Sequence, residues 1–512
     1  MEKKKKIICW IIIFLVAVGT RLFLWPNAIS QVNCDEMMTA INAISISETG
    51  KDANGTSFPV YLEAWGSMGQ STMLMYLMAI CIKIFGISIF SVRLPMLVIS
   101  IIGIIVFYDF MKRIFKSEKI GLLSMAIVAI CPWHILQSIW SIDCNMMPHF
   151  LLFSMYFLYR GFTEKKWFLY ISMIFFGLTM YTYGVSVYFV PIFLIIMAIY
   201  GIRKKQITIK ELIISIILYL VISWPIYVMY FINAFKIQQD IQIGLMTIQY
   251  FDMNSRTSDM LFFTRENIFY QAFMNIVHTV SVIFGQFDGL EWNATPYFGT
   301  TYRFALVFFI IGIIYFFKTR KTQNNVGIHM MEVWLIMSLL TGLFTNFANI
   351  NRLNSIWYVM LMTIVVGIYA CYQKLKTREG KKKFMYCVIG IYTVVFILYN
   401  IVFFTSWNKR IDMSGCFSRG YIDAVEYIGD TNKEELYYAN PIHDGTLTTY
   451  VRYQQKIDHN EIKEITDEEE IKNRINSMTE KEAYIVYEKD LEQYDLKDKQ
   501  IKIFGEYAVI TK

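Results

Sequence analysis

The sequence predicts an all-α polytopic membrane protein of about 11 transmembrane helices, with exterior juxtamembrane helices and a small C-terminal α/β exterior domain. Three observations carry this. Of 512 residues, 55% are hydrophobic, and the mean hydropathy is +0.41. Apolar runs of about 20 residues, the length that crosses a bilayer core, recur between short basic clusters. Residues 406–512 hold 15 Lys/Arg against 22 Asp/Glu, whereas the rest of the chain holds 33 against 19. That last segment is acidic and soluble in character, a different kind of object from what precedes it.

The first run, "IICWIIIFLVAVGTRLFLW", follows "KKKK" as a signal peptide would. It lacks a small-residue cleavage site, and Arg21, Trp25 and Pro26 follow instead, so it reads as an uncleaved anchor. Basic clusters at 3–6, 112–119, 160–166, 203–210, 318–321 and 374–383 are expected on the cytoplasmic side. Eleven spans then fall near 7–25, 92–110, 119–132, 146–161, 167–183, 185–201, 211–231, 304–317, 329–346, 353–371 and 384–404. This arrangement puts 24 of the 33 basic residues inside, the N-terminus in the cytoplasm and the C-terminal domain outside. Two more apolar runs, 71–87 and 268–285, would break that parity if they crossed. Both are short and carry polar groups (Lys83; Gln271, Asn275, His278), so they are expected to lie along the outer surface or re-enter it.

The chain thus divides into a membrane domain, 1–405, with exterior loops 26–91 and 232–303, and an exterior domain, 406–512. Within the first loop, "DEMMTAINAISISETG" reads as a short amphipathic helix with apolar Met37, Ile41 and Ile44, capped around Asp35 and stopped by Gly50. In the exterior domain "ELYYAN", "EAYIVYE" and "IKIFGEYAVITK" read as strands, "YIDAVEYIG" and "DEEEIKNRINSM" as helices, with "DEEE" marking a helix start. The eight cysteines show no CxxC and no zinc-ligand spacing with the six histidines. Cys34 and Cys144 are expected to behave as small hydrophobes rather than as a bridge.

The carboxylates say most about chemistry. Of the nineteen in the membrane part, only Asp109, Glu211 and Glu332 touch predicted spans, all near cytoplasmic ends. No acid sits at mid-bilayer, where an ion-coupled transporter needs one. The exterior acids Asp35, Glu36, Glu63 and Asp143 instead occur in loops leaving or re-entering the outer face. A helix N-terminus beside Asp35 favours its ionised form. Asp35 admits two readings: a helix cap and nothing more, or a general base for a hydroxyl. Neighbouring carboxylates can hold a divalent cation on a phosphate, and each can equally be an ordinary interfacial charge.

No GxGxxG, P-loop or, in the membrane part, DxD occurs, so no nucleotide cofactor is expected, and no nucleic-acid partner either. An activated donor used outside must be carried through the bilayer, which a polyprenyl phosphate does. Arg303 and Arg352, with Arg256 and Arg265, are candidates for its phosphate, because guanidinium matches phosphate bidentately. His134 and His149 are able to bind metal or relay protons, or simply to pack at the interface, and His134 is also a candidate substrate contact. Trp65, Trp140, Trp292, Tyr181 and Tyr183 suit a sugar face or the aromatic belt.

Several blocks resemble a known family. "DEMMTAINAISISETGKDANGTSFPVYLEAWG", "KIFGISIFSVRLP" and "CPWHILQSIWSID" are similar to the first third of bacterial GT-C glycosyltransferases, relatives of protein O-mannosyltransferases and the lipid A aminoarabinose transferase. "YTYGVSVYFVPIFLII", "DGLEWNATPYFG" and "NINRLNSIWYVMLM" resemble further blocks of the Gram-positive branch. The resemblance covers about residues 7–405. It implies that Asp35 is the catalytic base of an acidic pair with Glu36. It also implies that Glu63, in "YLE", and Asp143 lie at a metal or phosphate site, and that the helix before "FSVRLP" does not span. Donors would be polyprenyl-phosphate sugars, with inversion at the anomeric carbon. Two departures stand out. Ser138-Ile139 replaces a Ser-Arg of many relatives, and Glu63-Ala64-Trp65 replaces the "E-K-P" of the aminoarabinose branch.

The expectation is a multi-pass hexosyl- or pentosyltransferase of the cell membrane. It would take a lipid-phosphate sugar, with or without a divalent ion, and glycosylate an envelope protein, polymer or lipid. The alternative is a non-catalytic flippase, export or binding component for envelope polysaccharide. The topology is directly testable: reporters fused at 118 and 205 should be cytoplasmic and those at 52 and 450 exterior. Labelling of position 118 from outside would show that 71–87 crosses.

Overall fold

The computed structural model describes residues 2–28, 32–65, 67–251, 261, 267–319, 325–408, 417, 420–458 and 460–512. In chain order it runs α1 (Glu2–Ala28), α2 (Cys34–Thr49), the hairpin β1 (Tyr61–Ala64) and β2 (Ser67–Ser71), α3 (Thr72–Phe85), α4 (Ile89–Phe115), α5 (Glu118–Ala129) and α6 (Pro132–Leu136). There follow α7 (Asp143–Thr163), α8 (Lys166–Thr179), α9 (Ser186–Arg203), α10 (Ile209–Ala234) and a second hairpin, β3 (Ile241–Ile243) with β4 (Met246–Ile248). Then come α11 (Ile268–Gly285), α12 (Leu306–Thr319), α13 (Val326–Phe344), α14 (Trp357–Lys374) and α15 (Arg378–Val402).

A helix stands at each of the eleven predicted spans. By length and apolarity alone, seven of the described helices could cross a membrane: α1, α4, α9, α10, α11, α13 and α15. The run at 268–285, expected along the surface, is therefore among the helices able to cross. Its polar residues explain themselves by period. Gln271, Asn275 and Thr279, four apart, form one buried stripe, and the Asn275 amide donates to the Leu343 carbonyl (2.9 Å) and to Asn346 Oδ1 (3.0 Å). Phe269, Phe273, Val280 and Phe284 are exposed on the remaining surface, as lipid contact requires. α3 has 14 residues, roughly 21 Å of helix, which falls short of a ~30 Å hydrocarbon core.

Internal contacts divide the chain into two compact units. The first comprises Met1–Trp25, Ser57–Leu74 and Pro95–Thr405; the second comprises Pro26–Thr56, Met75–Leu94 and Ser406–Lys512. In the first unit α14 is the central helix, buried on every side from Trp357 through Ile368, as expected of a helix apolar all round. It packs against α12 at glycines: a Cβ on Gly312 would strike the Thr363 backbone, and one on Gly367 the Phe308 carbonyl.

In the second unit, residues 406–512 form a five-stranded sheet with three helices. The order is α16 (Tyr421–Asp430), β5 (Glu435–Ala439), α17 (Gly445–Asp458), β6 (Ile462–Ile465), α18 (Glu468–Asn476), β7 (Glu482–Tyr487), β8 (Gln500–Phe504) and β9 (Tyr507–Thr511). The strands lie in the order β6-β5-β7-β9-β8; the first three are parallel, and β9 runs antiparallel to both β7 and β8. Every predicted strand and helix of this domain is present, with Asp467 capping α18 through the Glu470 N–H (2.7 Å). The reading missed β6 and α17. One face of the sheet (Tyr437, Ala439, Tyr484, Val486, Ala508, Ile510) closes over Ile471, Ile475 and Met478 from α18 and the turn after it.

The α12–α14 contact yields a test. Gly367→Ala should lower the unfolding temperature by overpacking, at a cost of about 1–3 kcal/mol. Gly390→Ala, in α15 with open space around it, should leave it unchanged or raise it, as a helix-propensity gain does.

Candidate active site

The first turn of α2 is set by residues just before it. Asn33, in extended backbone, makes the cap: its side chain accepts the Asp35 N–H at 2.9 Å, while the Glu36 carboxylate reaches back to the Asn33 N–H at 3.4 Å. The sequence reading placed the cap around Asp35. The structure corrects this by two residues, because 33 is the position with non-helical dihedrals. Asp35 is the second residue of the helix, half-buried, and its carbonyl accepts the Thr39 hydroxyl (2.9 Å). At the far end Gly50 takes the left-handed conformation (φ 74°) and donates to the Ile46 carbonyl, as predicted.

Glu36 has a different task from its neighbour. Arg93, near the start of α4, donates through Nε to Oε1 (3.0 Å) and through Nη2 to Oε2 (2.9 Å), with side-chain exposures of 1% and 0%. Both oxygens of Glu36 are thus engaged in a buried, bidentate ion pair. Sequence reasoning gave Glu36 to a metal or phosphate site and gave Arg93 no role. A signal was present: a lone arginine in "FSVRLP", heading an apolar helix, needs a buried partner.

Glu63 and Asp143 belong to the first unit. Glu63 lies on β1 at an irregularity in the hairpin register, half-buried and opposite Met68. Trp65 follows in the turn with φ 54°, a rare conformation for a bulky residue, and is exposed. Asp143, the first residue of α7, accepts the Ser71 N–H on Oδ2 (2.8 Å) and the Cys144 N–H on Oδ1 (2.7 Å). It fastens the end of the hairpin to the start of α7. Cys34 and Cys144 are free and buried, as expected.

Arg352 sits in the loop between α13 and α14. Its guanidinium donates to the Asn346 carbonyl and its N–H to Asn349 Oδ1 (2.8 Å). Asp288, which the sequence reading passed over, organises this loop. Its carboxylate accepts from the Ile350 N–H (2.9 Å), the Asn293 amide (2.9 Å) and the Leu290 N–H (3.0 Å). Burial raises its pKa above the ordinary carboxylate range, and those hydrogen bonds oppose the rise. Trp292 lies half-buried in the same segment.

Around the Arg352 loop the first unit gathers tyrosines. Tyr188 is hydrogen-bonded to Thr345 (2.7 Å) and lies within electrostatic reach of Arg352. The ring of Tyr61, on β1, meets Tyr230 edge-on. Tyr183 lies in the turn leading to α9, and a Cβ on the adjacent Gly184 would face the hydroxyls of both Tyr230 and Tyr61. Arg303 is exposed on a short 3₁₀ turn with no side-chain partner among the described residues. Arg256 and Arg265 lie outside the described residues.

His134 is fully committed elsewhere. Arg21 Nη2 donates to its Nδ1 (2.6 Å), which places the proton on Nε2 and directs it to Tyr358 Oη (2.9 Å). That hydroxyl in turn donates to His149 Nδ1 (2.9 Å). The order follows because a guanidinium only donates. Burial, then the Arg21 charge, hold His134 neutral, with its pKa far below the ordinary value. Neither ring nitrogen of His134 is left for a substrate, so its expected substrate contact is corrected to a structural one.

Two of the acids expected at a metal or phosphate site, Glu36 and Asp143, have other partners, Arg93 and backbone N–H groups. Among the described residues no three or more His, Cys, Asp or Glu side chains form a metal-holding group.

Comparison with known proteins finds a family model over part of the chain and solved membrane proteins of similar fold. Residues 70–228 match the family model of dolichyl-phosphate-mannose-protein mannosyltransferase. The chain is similar to ArnT from Cupriavidus metallidurans, in the crystal structure bound to undecaprenyl phosphate. The TM-score is 0.57 at 11% identity, over 98% of this chain and 97% of that one. It is also similar to the Archaeoglobus fulgidus oligosaccharyltransferase in its complex with Zn and sulfate (TM-score 0.53, 13% identity, 94% of this chain, 68% of that one). A third likeness is to the archaeal oligosaccharyltransferase AglB from Archaeoglobus fulgidus, in complex with an inhibitory peptide and a dolichol-phosphate (TM-score 0.51, 12% identity, 90% and 64%). No curated protein matches the sequence. At these identities the likeness is one of fold.

The Glu36–Arg93 pair is testable by a double-mutant cycle. Glu36→Gln or Arg93→Met alone strands a buried charge and should cost about 3–5 kcal/mol of stability. Replacing both by apolar residues of similar volume should recover most of the loss in thermal unfolding.

Proposed function

We propose that this protein is an inverting glycosyltransferase that uses a polyprenyl-phosphate-linked sugar at the outer face of the cytoplasmic membrane. Its acceptor would be a hydroxyl of an envelope protein, polymer or lipid. The observation that carries this reading is the cap at Asn33. Capping was the bland role available to Asp35, and it is performed two residues earlier. Asp35 is an acid in the first turn of α2, half-buried, with its carboxylate outside the cap. The GT-C fold, shared with proteins whose structures hold undecaprenyl phosphate or dolichol-phosphate, supports a lipid-linked donor.

In this mechanism the Asp35 carboxylate takes the proton of the acceptor hydroxyl, and the acceptor oxygen forms a bond to the anomeric carbon. The bond from that carbon to the phosphate oxygen breaks on the opposite face, so configuration inverts. The polyprenyl phosphate departs with the electron pair. A guanidinium such as that of Arg352 or Arg303, the candidates named from the sequence, would stabilise that charge. No step runs through a metal. The basic clusters favour a cytoplasmic N-terminus and an extracytoplasmic C-terminal domain.

Asp35→Asn should reduce sugar transfer by a factor of about 10²–10⁴, in membranes supplied with polyprenyl-phosphate sugars extracted from source cells, while expression stays at the wild-type level. Transfer retained at the wild-type rate would remove Asp35 as the base, and transfer undiminished in membranes lacking the protein would assign the chain to a non-catalytic export or binding role instead. Mass spectrometry of envelope glycans and glycoproteins, with and without the protein, would identify sugar and acceptor.

A further inference from the structure

The second compact unit joins three stretches far apart in sequence: the helix bearing Asp35, the segment bearing Arg93, and the whole C-terminal domain. Their junction is helix α17. It is polar by composition, yet Leu447, Thr449, Tyr450, Val451, Tyr453 and Gln454 are all buried. Two layers bury it, because α17 packs on α16 on one side and along α2 on the other. The hydrogen bonds fall at both ends of α2. Tyr450 Oη donates to the Val32 carbonyl at 2.7 Å, across 418 residues of chain, immediately before the Asn33 cap. At the other end Lys456 meets Glu48 (3.4 Å), and Lys83 donates to the Ser47 carbonyl (3.2 Å). Tyr453 lies within electrostatic reach of Glu36 and Arg93, its own hydroxyl buried without a partner.

We propose that the C-terminal domain is a clamp on α2, in which Tyr450 is the positioning residue that fixes the first turn, and hence Asp35, through the Val32 carbonyl. The inference rests on the reading of Asp35 as the base. Its physical content is narrow. The Glu36–Arg93 pair restrains the turn from the side of α4, and the cap is local to Asn33. The Tyr450 hydroxyl restrains the backbone entering the helix from the side of the C-terminal domain. Without it, a buried carbonyl loses its donor and the turn is free to shift. A displacement on the order of 1 Å at a reacting group costs up to about a hundredfold in rate.

The test uses the full chain in lipid nanodiscs, with hydrogen exchange read by mass spectrometry beside sugar transfer from polyprenyl-phosphate sugars extracted from source membranes. Tyr450→Phe should speed exchange of amides 34–40 while β5, β7 and β9 keep their protection. It should also lower the rate at saturating donor by about tenfold, with the half-saturating donor concentration unchanged. Tyr453→Phe removes an equally buried hydroxyl that holds nothing, and should move neither readout. Unchanged exchange at 34–40, equal effects from both variants, or loss of protection in the sheet and α2 alike would overturn the clamp. Asp35→Asn is measured in parallel. Were it to retain transfer, the catalytic reading would fall on its own, and the exchange data would still decide whether Tyr450 holds the turn.

Discussion

Two charges shielded from water, the Arg93 guanidinium and the Glu36 carboxylate, decide where α2 begins and which way it points. Removing each ion from water costs several kcal/mol. The pair therefore persists only in a geometry that returns that cost, and parallel N–H···O contacts near 2.9 and 3.0 Å supply it. Such a pair adds little net stability compared with a well-packed apolar one. What it adds is angular restriction, because a planar fork meets a planar carboxylate in one orientation. The third acceptor contact, to the Asn33 N–H, ties that orientation to the helix cap. The first turn of α2 is consequently held against α4 by direction as well as by packing.

The same logic sorts other acids that lie outside the candidate spans. Asp143 and Asp288 each spend both oxygens on N–H donors that link separate segments: hairpin to α7 in one case, and the 288–293 turn to the Arg352 loop in the other. Carboxylates are well suited to this, since each accepts several bonds and accepts them more strongly than a carbonyl does. An abundance of acids on one side of a membrane protein therefore does not by itself mark a cation site. Much of it can be joinery for loops that lack regular structure and still have backbone donors to satisfy.

This explains what could be read in the sequence and what could not. The helices were legible because apolar period and length are local properties, and so were the cap region and the Gly50 stop of α2. Every strand of the C-terminal sheet except β6 was legible in the sequence. Helix α17 was not, because its buried face is built from tyrosines, threonine and glutamine and is apolar only in the company of α16 and α2. The roles of Arg93, Asp288 and Tyr450 were hidden for a related reason. Each is defined by a partner 57, 62 or 418 residues away, and no local pattern encodes that distance. Of the roles open to His134, packing is the one observed, because Arg21 and Tyr358 enclose it.

The buried polar network of Arg21, His134, Tyr358 and His149 shows how far such enclosure goes. A cation on a helix facing lipid needs partners for its donors, and here Nη1 donates to the Ala17 and Ala129 carbonyls and Nη2 to His134, while Nε is buried without a partner among the described residues. With Nδ1 occupied by Arg21, His134 has one tautomer, and the hydroxyl and second imidazole follow in a fixed order of donation. The network leaves no room for a side chain at Gly103, whose Cβ would strike both Tyr358 Oη and His149 Nδ1. Glycine at 103 is thus required by a hydrogen bond between two other helices, and the polar groups near α6 serve to lock the bundle rather than to meet a substrate.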